Sequence, residues 1–167
     1  MSAPSAVRAP LGRTGRKITL VLHVLSSVGW FGVAVLVAFL LLAATTTGDA
    51  AMARSLSRSV ETSVWLSVPL GLVAAATGIV LGLGTKWGLV RYWWVLVKEV
   101  IVVPVVLTDL FVVAPGAHDA ALGNLSGRIL DPAIAHCVVL TTATVVSLVK
   151  PFGRLRDRRR GPAILRA

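Results

Sequence analysis

The sequence predicts an all-α, polytopic membrane protein: a bundle of four transmembrane helices with both termini cytoplasmic. Three observations carry that expectation. The chain has 167 residues, 56% of them hydrophobic, and a mean hydropathy of +0.83, which is too apolar for a soluble domain and too short for two ordinary ones. Its apolar residues fall into four runs separated by segments rich in glycine, proline and charge. Its cations are spread unevenly: Lys and Arg number four up to residue 17, two at 84–91 and seven from Lys150 onward, against three in the two other loops. By the positive-inside rule this thirteen-to-three bias places both termini in the cytoplasm and makes the number of spans even. The net charge of +10 is read the same way, as topogenic charge meeting anionic lipid headgroups. No nucleic acid is expected as a partner, since the basic residues have no soluble fold to present them.

Taken in order, residues 1–17 hold Pro4, Pro10, Gly12 and Gly15 with Arg8, Arg13, Arg16 and Lys17, the composition of a flexible basic cytoplasmic tail. A four-helix transmembrane domain is expected over 18–150. Its first span, 18–44, is far longer than the roughly 7 to 15 apolar residues of a signal-peptide core. Residues 45–61, where Asp49, Arg54, Arg58 and Glu61 cancel in charge, read as an external loop or interfacial helix. The second span, 62–83, contains Pro69 as an expected kink, and places Gly71, Ala75, Gly78 and Gly82 on one face of small residues. Gly78 and Gly82 form a small-xxx-small pair through which a second copy or a membrane partner could pack. The turn that follows carries Trp87, Tyr92, Trp93 and Trp94 at the membrane interface, with Lys86 and Arg91 marking its cytoplasmic side. The third span, 92–113, is the most polar, with Lys98, Glu99, Pro104 and Asp109. Residues 114–131 are dense in turn formers and read as a second external loop. The fourth span, 132–149, opens at Pro132 and stops at Lys150-Pro151, beyond which 151–167 form a polybasic cytoplasmic tail.

Two groups of polar residues stand inside these spans. His23, Ser26, Ser27 and Trp30 lie at i, i+3, i+4 and i+7, one polar stripe on an apolar helix that is expected to face protein. His23 and Lys98 lie at similar depth from the cytoplasmic end, so with Glu99 they can form one buried cluster. That cluster is either an interhelical network or a site for a redox cofactor, metal or proton. The second group, towards the outer surface, is Asp109, His136 and His118, a candidate copper or zinc site, with a hydrogen bond between Asp109 and His136 as the alternative. His136 and Cys137 are adjacent and so point about 100° apart, which makes joint ligation awkward. The single Cys137 excludes an intramolecular disulfide. No nucleophile-base triad, phosphate-binding glycine loop or paired carboxylates are present, so no hydrolase or kinase chemistry and no catalytic residue are expected.

The segments Leu22-His-Val-Leu-Ser-Ser-Val-Gly-Trp-Phe-Gly32 and Gly84-Thr-Lys-Trp-Gly-Leu-Val-Arg-Tyr-Trp-Trp-Val-Leu-Val-Lys98 resemble a family of uncharacterised four-helix integral membrane proteins common in actinobacteria. The Ala, Val, Leu, Gly and Arg bias is similar to that of proteins from GC-rich bacteria. The resemblance covers most of Ile18 to Lys150 and implies a four-helix fold in the bacterial cytoplasmic (inner) membrane. More distantly, the Leu-His then Trp-x-Gly pattern is similar to copper-resistance D membrane proteins and four-helix haem-binding protoporphyrinogen oxidases. That likeness implies haem b or copper as cofactor, with His23 and Lys98 as the residues concerned, although the second and third spans here contain no histidine. The functional expectation is a non-enzymatic membrane module with a buried polar cluster; its rival is a haem- or copper-linked redox or transport protein.

Overall fold

A computed structural model describes residues 11–84, 93–124 and 129–149, without the side chains of 93–96, 98 and 99. These residues form α1 (Arg13–Thr46), α2 (Ala50–Gly84), α3 (Trp93–Thr108), a π-helical turn (Asp109–Val113), α4 (Ala114–Ala121) and α5 (Leu130–Val149). No strand occurs among them, and four helical runs are long and apolar enough to cross a membrane: Arg13–Thr46, Ala50–Gly84, Val100–Ala121 and Leu130–Val149.

The helices outrun their expected bounds, for local reasons. No proline occurs between Pro10 and Pro69, so α1 begins at Arg13 rather than at 18 and takes Arg13, Arg16 and Lys17 into its first turns. Only Thr47, Gly48 and Asp49 separate α1 from α2. The Asp49 carboxylate accepts from the backbone N–H of Ala51 (2.7 Å) and Met52 (3.3 Å), an N-cap that starts α2 at Ala50 instead of 62. The link makes the two helices antiparallel neighbours, and at their far ends Leu11 N–H donates to the Gly84 carbonyl at 3.3 Å.

The third span does not end at 113. Asp109–Val113 is π-helical, with Ala114 N–H donating five residues back to the Asp109 carbonyl, and α4 then continues through Pro115 and Gly116 to Ala121. Pro115 cannot donate to the carbonyl one α-turn before it, and the wider turn lies immediately upstream. Gly123, at φ 100°, closes the run in the left-handed conformation, with Gly123 N–H on Ala120 O and Asn124 N–H on Asp119 O. The expected loop at 114–131 is therefore helical over its first half. The turn at 85–92, the first ten residues and the tail at 151–167 lie outside the described residues.

α2 and α5 each touch both α1 and the third run, so the four runs close into a ring. Two apolar clusters fill it. One joins Val37, Leu41, Val60, Val64, Val113, Ala117 and Ala133; the other joins Trp30, Ala34, Ala74, Val102, Val105, Leu140 and Ala143. Outside the ring, large apolar side chains stand exposed on every run, among them Leu25, Phe39, Trp65, Phe111 and Leu148. Serine and threonine hydroxyls are largely turned back on their own helices: Thr45, Ser57, Thr62, Thr77, Thr108, Thr141 and Ser147 each donate to the carbonyl four residues earlier. That arrangement hides polar hydrogens from an apolar exterior.

The small-residue face of α2 packs inside the chain. Gly71 and Gly82 are buried and Gly78 half-buried. A Cβ on Gly71 would lie 2.9 Å from Cε2 of Trp30, so only glycine seats the indole here. Gly71→Ala is expected to lower stability by about 1–3 kcal/mol through overpacking. Gly32→Ala, where a Cβ meets nothing within 4 Å, is expected to be neutral or stabilising. Unfolding of both variants in detergent micelles checks the contrast.

Candidate functional site

Asp109 opens the π-turn in the middle of the ring. Its side chain is buried, and groups from the other three runs converge on it. Trp30 of α1 donates its indole N–H to Oδ2 at 2.9 Å, and Ser67 of α2 donates its hydroxyl to the same oxygen at 3.1 Å. His136 of α5, also buried, turns Nδ1 to Oδ1 at 3.5 Å. Its other nitrogen, Nε2, lies 2.9 Å from the carbonyl of Val105, one turn before Asp109. A carbonyl can only accept, so Nε2 carries a hydrogen.

That assignment constrains the Asp109–His136 contact. A neutral imidazole protonated at Nε2 presents a lone pair at Nδ1, which would oppose the carboxylate. The contact is attractive when one proton is held by the pair, as imidazolium with carboxylate or imidazole with carboxylic acid. In both forms the interior buries no net charge, the condition a low-dielectric bundle favours. A small cavity, about 10 Å³ for the centre of a water-sized sphere, adjoins Ser67, Asp109 and His136. That is close to the least volume that admits one water.

The group is at mid-bundle, not near the outer surface as its place in the sequence suggested. Trp30 and Ser67 are at the centres of Arg13–Thr46 and Ala50–Gly84, and the cavity is walled by side chains from both apolar clusters. Extension of the third run to Ala121 is the reason, since it leaves a further twelve residues beyond Asp109.

The other expected site residues separate. His118 of α4 pairs with Glu61 of α2, Nδ1 to Oε1 at 2.7 Å. It lies nine residues, or about 13 Å of helical rise, from Asp109. His118 therefore does not join Asp109 and His136, and among the described residues no three His, Cys, Asp or Glu side chains gather closely enough to hold a metal. His23 lies half-buried between α1 and α2, with Nδ1 3.0 Å from the Ala74 carbonyl and 3.2 Å from Thr77 Oγ1. Lys98 and Glu99 are on α3, but their side chains lie outside the described residues, and so does the cluster expected with His23. Ser26 and Trp30 of the polar stripe are buried, so the stripe faces protein.

Sequence reasoning singled out Asp109, His136 and Trp30 but did not bring Trp30 to Asp109, and it passed over Ser67. The available signal was Gly71, one turn from Ser67, which makes room for a large ring. No protein-family model, curated protein or solved structure matches the chain.

Because Trp30 and Ser67 serve the same oxygen, their contributions are coupled. Trp30→Phe and Ser67→Ala are each expected to destabilise the fold, and the double variant to depart from additivity by about 0.5–3 kcal/mol. A double-mutant cycle on unfolding in mixed micelles measures that term.

Proposed function

We propose that this chain is a multi-pass protein of the bacterial cytoplasmic membrane, with both termini cytoplasmic, that acts as a non-enzymatic membrane module. The observation that carries the reading is the use made of Asp109: a buried carboxylate satisfied by one side chain from each of the other three runs. The ionisable group is taken up in holding the helices in register, with a water-sized space beside it. The exposed apolar exterior and the thirteen-to-three cation bias support membrane placement and orientation. The likeness of the Leu22–Gly32 and Gly84–Lys98 segments to actinobacterial four-helix membrane proteins agrees with this reading.

One observation favours a second reading, a haem- or copper-linked protein using His23 and Lys98. The Ala74 carbonyl beside His23 Nδ1 selects the tautomer protonated at Nδ1. Metal-ligating imidazoles are oriented by this kind of contact.

The two readings separate on protein purified after expression with haem precursor and copper available. The module reading expects no stoichiometric haem or copper. It expects Asp109→Ala or His136→Ala to cost about 3–5 kcal/mol, because each leaves its buried partner uncompensated. A Soret band or one copper per chain, lost selectively in His23→Ala, would establish the second reading instead. Reporter fusions at both termini test the orientation: fluorescence from cytoplasmic reporters is expected, and alkaline phosphatase activity at either end would overturn it.

A further inference from the structure

Outside the ring, α2 carries an open groove of about 570 Å³ lined by Ala51, Arg54, Ser55, Arg58, Ser59 and Thr62 with Ser63. Arg54 and Arg58 are exposed, one turn apart on one face, and form no salt bridge among the described residues. Both neighbouring acids are engaged elsewhere: Asp49 caps α2, and Glu61 holds His118. The hydroxyls of Ser59, Thr62 and Ser63 already donate to their own helix, which among the described residues leaves the two guanidinium groups as the groove's free charged donors, beside the hydroxyl of Ser55.

The same face changes character further along the helix. At 100° per residue, Trp65, Pro69, Leu72, Ala76 and Leu83 stay within about 60° of the Arg54 direction, and all five are exposed. One strip therefore begins with two unpaired arginines and, past Glu61, which lies about 20° to the other side and pairs with His118, continues as apolar surface. Arg58 stands four residues, or about 6 Å, beyond Thr62, where the long apolar stretch of α2 begins. That offset matches a headgroup layer of roughly 5–7 Å on each side of the hydrocarbon core.

We infer that this face is a binding site for an anionic phospholipid, with its phosphate held by Arg54 and Arg58 and an acyl chain lying along Trp65, Pro69 and Leu72. A free phosphate would use the arginines alone, and a zwitterionic lipid, whose ammonium cancels its phosphate, would offset none of the net charge of the two arginines, where a monoanionic lipid offsets one. The inference rests on the membrane reading. Terminal fusions that contradict the topology would remove its premise, whereas a sound topology with no lipid preference would remove the site alone.

The test is native mass spectrometry of the full chain in mild detergent, titrated with phosphatidylglycerol or phosphatidylcholine. One saturable phosphatidylglycerol per chain is expected to be retained over phosphatidylcholine. Arg54→Gln with Arg58→Gln should weaken it on the order of fivefold for each arginine, while Arg158→Gln with Arg160→Gln, equal in charge, should leave it unchanged. Phosphatidylglycerol with brominated chains should quench the emission component that Trp65→Phe removes, and the paired α2 substitutions should relieve the quenching. Equal retention of the two lipids, unchanged binding in the α2 variant, no quenching of Trp65, or displacement by equimolar inorganic phosphate would each overturn the assignment.

Discussion

Four runs of helix meet at one carboxylate. Asp109 lies between the two apolar clusters, and the bonds it receives from Trp30 and Ser67, with the facing imidazole of His136, tie each other run to the third. In the proposed membrane setting the hydrophobic effect between apolar helices contributes little, so packing and polar contacts must specify which faces meet. A single interhelical hydrogen bond contributes only about 0.6 kcal/mol on average in such settings. The specificity here comes from convergence: displacing any one run leaves a buried charge or a buried donor without its partner, and that costs far more than one bond. No buried side-chain nitrogen or oxygen lacks a partner among the described residues.

The hub also orders the sequence around it. Gly71 is small because Trp30 must reach Asp109 across α2, and the indole that spans that gap is itself part of the apolar cluster on one side. The His136 Nε2 hydrogen goes to Val105, so α5 is fixed to the third run at two points a turn apart. At the periphery the polar groups are handled differently. Hydroxyls fold back on their own backbones, and the exposed pair of His118 with Glu61 fastens α4 to α2 where α4 nears its end.

Hydropathy made the existence and order of the four runs legible, because an apolar stretch of sufficient length is a composition signal that needs no partner. The polar stripe on α1 was legible too, since i, i+3, i+4 and i+7 is a local rule. Boundaries were not. Asp49 reads as one of four cancelling charges until its role as an N-cap is considered, and Pro115-Gly116 reads as a loop if helix geometry is taken as uniform. The assembly at Asp109 was least accessible. Its bonds connect residues 79 and 42 positions apart, and no local periodicity encodes such a pairing.

The π-turn explains a further irregularity. Val105, Asp109, Val113 and Ala117 are all buried, yet they are spaced four apart, which in a uniform α-helix would carry the last about 120° around from the first. The extra residue in the widened turn absorbs about 100° of that drift and keeps the buried stripe straight. In evolutionary terms the third run behaves as two helical reading frames joined by a one-residue insertion. A deletion of one residue just after Asp109 would remove that insertion and leave a regular α-turn: Ala117 would then stand eleven residues from Val105, only about 20° out of phase, so the buried stripe would survive the loss of the π-turn.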